Sequence, residues 1–381
     1  MRRKAYFPKK EKSVLEHSSR RNEPRTKTKE AAAIRRTQTA VAIVVICVLL
    51  IVLSGFIFAN SLGAFSPASS SQIVTAIFEQ SSSISEQNKS EPSAALPLFG
   101  KTVILDAGHG GYDNGCVYPE GDENPEYKEK DFNLQIAFEA KTALEKLGAE
   151  VVMTRTDDSF LSIYARPAMV HLYCLDYAKD HGIPSVPEDF ETRIREELRD
   201  TIRVNSTDIS AGCMGPMVGS GFSEDLIRLL ELEYRLDDII FISVHNNWNS
   251  KTGLHGTQVY FVTDESIIES ENRLIKNDPY YSNPDYIVRE NYYGRDPENN
   301  RALARFLHDS ITGAVPELEP NLRELVEDNF AVLREQGLAS VMLELSFVSN
   351  EEDRRLLSDE EIIRQMADGI AQGCIDYYNN R

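Results

Sequence analysis

The amino-acid sequence predicts an α/β fold: a mainly parallel sheet with helices on both faces, preceded by one transmembrane helix. Residues 102–106 form a strand-like apolar run, residues 130–147 place apolar side chains at helical spacing, and residues 150–154 are strand-like again. Such a strand–helix–strand unit predicts two parallel strands joined by a right-handed crossover. The transmembrane helix is predicted from residues 39–59, which are mostly apolar and contain no charged side chain.

The run at residues 39–59 is long enough to cross a membrane, because about 20 residues rising ~1.5 Å each span a hydrocarbon core of ~30 Å. Residues 1–36 contain 13 Lys or Arg against 4 Asp or Glu. The positive-inside rule therefore predicts a single-pass protein of the cell membrane, with a cytoplasmic N-terminus and an extracellular body. A cleaved signal peptide is the alternative, but its apolar region has only about 7–15 residues and ends at an A-x-A-like site, which this sequence lacks.

The composition divides the chain into four segments. Residues 1–38 are a basic tail, predicted to be disordered and cytoplasmic. Residues 39–59 are the transmembrane helix, and residues 60–98 are a Ser-rich linker. A flexible linker of this length reaches roughly 35 Å, which would lift the folded domain at residues 99–381 off the bilayer.

The charge distribution excludes one class of partner. The formal net charge is −19, and because residues 1–36 carry +9, the remainder carries −28. Phosphate contacts need clustered cations, so nucleic acid is excluded as a partner of this acidic body. The five cysteines form no Cys-x-x-Cys pair and no disulfide framework, and a large exported domain does not need one.

The rest of the domain continues to mix strands and helices, which extends the same sheet. The apolar pattern predicts strands at residues 239–244, 257–262 and 340–345 and helices at residues 301–311 and 360–377.

Four ionisable residues stand in short motifs spread over more than half of the chain: His109, Glu129, His245 and Glu344. The motifs are Val103–Asp113, Lys128–Asp131, Phe241–Asn247 and Val341–Phe347. Functional residues of an open α/β sheet lie at the carboxyl ends of strands, and three of the four residues follow or end a strand-like run. Glu129 instead opens a helical pattern, where the helix dipole favours an anion.

This set of side chains is typical of a zinc site. Two imidazoles and one carboxylate leave a zinc ion with an open coordination position, and a further carboxylate takes a proton from a metal-bound water. Glu344 lies in an apolar strand, where burying a carboxylate is costly unless a partner or a metal offsets the cost. For Glu129 alone, a first-turn charge without a further role is the alternative.

In order and composition, the four motifs resemble the zinc-dependent N-acetylmuramoyl-L-alanine amidases, the amidase-3 type of cell-wall hydrolase, over roughly residues 100–378 of the predicted domain at 99–381. The resemblance implies a zinc amidase catalytic domain in which His109, Glu129 and His245 are the zinc ligands. It implies that Glu344 is the catalytic carboxylate. The implied reaction is hydrolysis, by a zinc-bound water, of the amide bond between N-acetylmuramic acid and L-alanine in peptidoglycan.

The sequence departs from the family pattern at three positions. The family usually has proline where Ala107 stands, a small residue where Asn246 stands and glycine where Ser346 stands. None of these changes removes a ligand, so they affect the expected substrate preference more than metal binding. Two other functions stay open: a zinc peptidase acting on the stem peptide, and a non-catalytic wall-binding regulator, against which the retained Glu344 argues.

Residues 167–238 exceed what the minimal fold requires and are predicted to be an insertion. They contain helical patterns at residues 187–204 and 223–235, joined by a Gly/Pro-rich stretch at residues 211–221. The insertion is either a helical excursion without a functional role or a mobile lid over the zinc. The lid hypothesis expects restricted access to the zinc and an unidentified regulator that acts on the insertion.

Other polar residues near the motifs are weaker candidates. Asp106, Asn246 and Asn350 are candidates for holding the ligands in place. Cys116 follows the first motif closely, and we interpret it as a packing residue rather than a zinc ligand. His255 lies just beyond the predicted strand of His245 and is a candidate for substrate contact.

Overall fold

The computed structural model describes residues 96–184, 186–207, 224–277 and 297–381. The predicted basic tail, the transmembrane helix at residues 39–59, nearly all of the linker and the Gly/Pro-rich stretch at residues 211–221 lie outside these ranges. Within the described ranges, no helix combines the length and the apolar character that a membrane crossing requires.

The strands of the described residues are β1 (Thr102–Ala107), β2 (Val117–Tyr118), β3 (Tyr127–Lys128), β4 (Glu150–Met153), β5 (Ile239–Asn247), β6 (Gln258–Phe261), β7 (Leu325–Glu327) and β8 (Ala339–Phe347). The helices are α1 (Glu129–Lys146), α2 (Ala165–Asp180), α3 (Glu188–Thr207), α4 (Glu224–Tyr234), α5 (Asp264–Asn277), α6 (Pro297–Ala314), α7 (Ala331–Arg334), α8 (Glu351–Leu357) and α9 (Glu360–Asn379). A short 3-10 helix, Pro316–Leu318, follows α6.

Six strands form one sheet in the order β4-β1-β5-β8-β6-β7. Strands β4, β1, β5 and β8 are parallel to one another, β6 pairs antiparallel with β8, and β7 runs parallel to β6. The prediction of a mainly parallel sheet is therefore confirmed. The central strands β1, β5 and β8 are largely buried along their length, which explains why they read as nearly continuous apolar runs.

The alternation of side chains along each strand divides the core into two layers. In β1, Val103 and Leu105 belong to the first layer, and Ile104 belongs to the second. Helices α1, α6 and α9 contribute to the first layer, whereas α2, α3 and α4 contribute to the second. The sheet thus has helices on both faces, as the sequence predicts.

Helix α1 begins at Glu129, one residue before the predicted start. Glu129 and Asp131 place two negative charges in its first turn, where the helix dipole stabilises them. Ile136, Ala140 and Leu144 are fully buried in the first core layer at helical spacing. The apolar face of α1 therefore fixes its position against the sheet, and with it the position of Glu129.

The folded domain begins before the predicted boundary at residue 99. Leu98 is fully buried in the first core layer, and its amide donates to the Leu147 carbonyl. Leu98, the last residue of the predicted linker at residues 60–98, therefore belongs to the folded domain.

The lid hypothesis for residues 167–238 is wrong for the helices that the structure describes. The lid would close by packing apolar side chains of α4 over the site. Two of these side chains, Leu229 and Leu230, are instead fully buried in the second core layer. His171 of α2 and Glu233 of α4 form a buried hydrogen bond that ties the two helices together. These helices cover one face of the sheet, so they give no support to a lid or to a regulator that moves it.

Candidate metal centre

The three predicted ligands meet at the carboxyl end of the parallel strands. His109 follows β1 by two residues, His245 lies two residues before the end of β5, and Glu129 is the first residue of α1. One possible ligand atom from each residue lies within 4.8 Å of the other two. The fold therefore brings together the three residues that the motifs single out.

Glu129 lies between the two histidines. Its Oε2 is 3.2 Å from His109 Nε2, and its Oε1 is 2.9 Å from His245 Nδ1. The two imidazole rings stand 4.9 Å apart, centroid to centroid, at 78° to each other. The Glu129 side chain is 2% exposed, whereas those of His109 and His245 are 25% and 15% exposed. Solvent therefore reaches the site from the side of the histidines.

The surrounding donors keep Glu129 ionised in its buried position. Burial alone would raise the pKa of Glu129, but the hydrogen bonds and charges of His109 and His245 hold the pKa well below its usual range. The backbone amides of Cys116 and Asn246 also donate to the carboxylate. A buried, ionised carboxylate beside two imidazoles is a donor set that zinc binds in proteins.

Asp113 orients the His109 ring. Its Oδ2 is 2.8 Å from His109 Nδ1, and its Oδ1 accepts the amide of Gly115. Burial would lower the pKa of His109, but the hydrogen bonds to Asp113 and Glu129 outweigh it and raise the pKa to about 10. Metal ligands must be deprotonated, so a metal that binds here displaces a proton, and its affinity should rise with pH.

Two glycines leave space for these side chains. A Cβ at Gly108 would lie 2.2 Å from His245 Nε2, and a Cβ at Gly115 would lie 2.4 Å from Glu129 Oε2. His109 itself has a φ of 60°, which is unusual for a residue with a side chain. Contacts from other elements must therefore hold the His109 backbone in place.

Buried arginines provide those contacts. Arg155 and Arg166 donate to the backbone carbonyls of residues 107–109. Arg166 also pairs with the fully buried Asp106. Burial would raise the pKa of Asp106, but the Arg166 charge and two hydroxyl donors lower it. The hydrogen bonds of the two guanidinium groups, together with the Arg166–Asp106 ion pair, thus hold the loop that carries His109 in place.

Arg166→Met is expected to lower the free energy of unfolding by about 3–5 kcal/mol, because Asp106 would stay buried without its counter-charge. Urea unfolding followed by circular dichroism measures the loss. Arg355→Met is the control: Arg355 forms an exposed ion pair with Glu351, and such pairs contribute only about 0–1 kcal/mol. Equal losses in the two variants would contradict the role of Arg166.

Glu344 lies next to the three predicted ligands. It pairs in register with His245 on the adjacent parallel strand. Its Oε2 is buried and has no hydrogen-bond partner among the described residues. Burial and the nearby charge of Glu129 raise the pKa of Glu344 well above its ordinary value. An unpartnered carboxyl oxygen is costly to bury, so this position favours a chemical role such as proton transfer.

The weaker candidates fall into different places. Asp106 pairs with Arg166, which holds the His109 loop, and the backbone amide of Asn246 donates to Glu129. Asn350 instead caps helix α8 with its side chain. His255 is not among the residues whose donor atoms converge. Cys116 packs against the first core layer, and burial raises the pKa of its thiol, in keeping with a packing residue.

Four residues that support the site were not predicted: Asp113, Asn133, Arg155 and Arg166. Two of them carry a sequence signal. Asp113 closes the first motif, and Arg155 comes two residues after a short strand, near the edge of the sheet where functional residues collect. Asn133 and Arg166 lie inside or at the start of helices, and no feature of their neighbours distinguishes them.

Asp113→Asn is expected to weaken zinc binding by about 10- to 100-fold, because an orienting carboxylate behind a metal-bound histidine contributes that much. Competition with a chromogenic chelator measures the dissociation constant. Asp122→Asn, in an exposed loop where the side chain accepts the Asn124 amide, should bind zinc as tightly as the parent. An unchanged constant for Asp113→Asn would show that His109 is oriented without it.

The fold and the site together define a class: an α/β protein with a His–Glu–His donor set at the carboxyl end of its parallel strands, beside a further carboxylate. The family model for N-acetylmuramoyl-L-alanine amidase, Amidase_3, matches residues 103–178 and 192–376. The chain therefore belongs to this family of peptidoglycan amidases. Within the predicted insertion at residues 167–238, only residues 179–191 fall outside the match.

Several known proteins are similar to this chain. The uncharacterized protein YqiI of Bacillus subtilis is 25% identical over 286 residues, which cover 75% of this chain and 89% of YqiI. The probable cell wall amidase LytH of Staphylococcus aureus is 50% identical over 72 residues, which cover 18% of this chain and 23% of LytH. A solved N-acetylmuramoyl-L-alanine amidase from Clostridium difficile 630 superimposes with a TM-score of 0.44 at 20% identity, covering 74% of this chain and 98% of that one.

Proposed function

We propose that the protein is a membrane-anchored, zinc-dependent N-acetylmuramoyl-L-alanine amidase whose catalytic domain faces the cell wall. Its reaction would be hydrolysis of the amide bond that joins N-acetylmuramic acid to L-alanine of the stem peptide. One observation carries this proposal: in a chain of this family, the donor atoms of His109, Glu129 and His245 converge beside Glu344, whose Oε2 is buried.

The residues present fit a zinc ion. His109, Glu129 and His245 are the nitrogen and oxygen donors of known catalytic zinc sites with one open position. When bound, zinc polarises a carbonyl and lowers the pKa of a water. Asp113 keeps the Nε2 atom of His109 directed at Glu129 by holding Nδ1. The rigid loop beneath the site means that little reorganisation is needed during the reaction.

Glu344 supplies the proton transfers in this proposal. A water beside its buried Oε2 loses a proton to the carboxylate as the water attacks the amide carbonyl. The protonated Glu344 then donates to the amide nitrogen, which leaves as a neutral amine. Burial and the nearby charge of Glu129 raise the pKa of Glu344, which makes its carboxylate a stronger proton acceptor and supports this role.

Mass spectrometry tests the proposed reaction. The purified protein, loaded with zinc, should release intact stem peptides that begin with L-alanine from isolated peptidoglycan and leave the glycan strands unbroken. Truncated stem peptides would instead identify a zinc peptidase. A zinc-loaded protein that binds the wall material and releases nothing would identify a non-catalytic regulator.

The proposed location makes a separate prediction. Because the +9 tail precedes the apolar run at residues 39–59 and the −28 remainder follows it, the catalytic domain should lie outside the cell membrane. Protease added to intact protoplasts should digest the domain and spare the tail, detected by an epitope at each end. A cytoplasmic marker protein must survive in the same sample, and protection of the domain would reverse the topology.

A further inference from the structure

A β-bulge lies where β5 and β8 pass the candidate metal centre. Between His245 and Asn247 the pairing of the two strands shifts by one residue, so that Asn246 faces two residues of β8. Leu345, the first of these, belongs to the first core layer, and strict alternation would turn Ser346 to the other layer. The bulge redirects Ser346 instead, as bulges beside active sites often do.

The redirected hydroxyl begins a line of buried hydrogen bonds. Ser346 donates to Asn246 Oδ1 at 2.6 Å, and Asn246 Nδ2 donates to Asn133 Oδ1 at 2.9 Å. Asn133 Nδ2 then donates to Glu129 Oε1 at 3.1 Å and to the Gly108 carbonyl at 3.2 Å. The four side-chain residues of this buried line are at most 2% exposed. It connects the strand of Glu344 to the carboxylate at the centre of the site.

We propose that Ser346, Asn246 and Asn133 are positioning residues that fix the direction of the Glu129 carboxylate as a metal ligand. The inference rests on the proposed zinc function. Each amide in the buried line accepts at its oxygen and donates at its nitrogen, so neither can flip without breaking a contact. Glu129 Oε1 therefore meets His245 and Asn133 from fixed directions.

The two polar residues at the bulge depend on each other. In this chain, Asn246 without Ser346 would leave Oδ1 buried and without a donor, and Ser346 without Asn246 would leave a buried hydroxyl without an acceptor. An unsatisfied buried group is expensive, whereas removing both partners together costs less.

A double-mutant cycle tests the proposal. The zinc dissociation constant is measured by chelator competition for Ser346→Gly, Asn246→Ala and the double variant. Each single change should weaken zinc binding about tenfold, the lower limit for supporting contacts of metal ligands. The double variant should bind no more weakly than Asn246→Ala, because cutting the line at Asn246 already disconnects Ser346. Multiplied losses would mean independent effects and overturn the proposal.

Thr257→Val is the matched control. Thr257 is fully buried and donates to the Leu345 carbonyl in the same bulge, but its hydroxyl makes no contact with the buried line. This variant should lower the Tm of the zinc-free protein and leave the zinc dissociation constant unchanged. The buried line is merely structural if Ser346→Gly and Asn246→Ala behave in the same way.

Two further outcomes are informative. If Asn246→Ala does not fold, Ser346→Gly, which removes only the far end of the buried line, still decides the question: unchanged zinc affinity overturns the proposal. If the parent binds no zinc, the proposed function fails together with the ligand role of Glu129. The parent protein could bind zinc and release stem peptides while the variants bind zinc equally well. That result would contradict this inference and leave the proposed function standing.

Discussion

Glu344→Gln is expected to keep its zinc and to lose amide hydrolysis by about 10²- to 10⁴-fold, the usual contribution of a positioned acid–base group. Glutamine has nearly the same shape and cannot accept and return the proton. The fold should persist, because the substitution replaces a carboxyl whose buried Oε2 lacks a hydrogen-bond partner among the described residues. Activity on isolated peptidoglycan and zinc content are measured on the same preparation.

Glu351→Gln provides the comparison for Glu344→Gln. Glu351 is an exposed carboxylate at the start of α8 that pairs with Arg355, so its loss should leave both activity and zinc content unchanged. Parent-like turnover in Glu344→Gln would assign the carboxylate a structural role and place the base elsewhere. Loss of zinc in that variant would instead make Glu344 part of the metal-binding set.

His245→Ala is expected to weaken zinc binding by more than about 100-fold, since losing a direct ligand should cost more than losing a supporting contact. Hydrolysis should fall with the metal, because the activated water and the polarised carbonyl both depend on it. Glu129 keeps its contacts to His109, Asn133 and two backbone amides, so the zinc-free variant should still fold. Elemental analysis after dialysis measures bound zinc.

His181→Ala serves as the control for a histidine outside the site. His181 is exposed and stacks on Tyr177 at the end of α2, so this variant should hold as much zinc as the parent. Full zinc occupancy in His245→Ala would remove His245 from the ligand set, whatever happened to its activity.

Local patterns were sufficient for five of the six strands of the main sheet and for the ionisable residues that follow or end three of them, whereas β7 was not predicted. Strands β1, β5 and β8 are largely apolar on both faces, so their approximate positions follow from the apolar runs in the sequence. The apolar spacing of α1 predicts both the helix and, within one residue, the start at Glu129. His109, His245 and Glu344 follow or end such strands, so the rule that parallel strands collect functional groups at one edge brings them together.

The same patterns were misleading for residues 167–238. The leucines of α4 predict an amphipathic helix, and the structure contains one. Periodicity shows that a helix has an apolar face, but it does not show what that face covers. The lid hypothesis assigned the face to the site, whereas Leu229 and Leu230 fill the core beneath the sheet. Without these helices, one face of a buried sheet would be exposed to water.

The sequence by itself determined five of the six strands of the main sheet, its mainly parallel character and the four residues at the candidate centre, because each depends on spacing along the chain. Only the tertiary structure decided what holds them in place. Arg166 meets Asp106 across 60 residues, and Asn133 meets Asn246 across 113. A buried polar group must find a partner wherever the folded chain supplies one, and no local pattern records which distant residue that partner is.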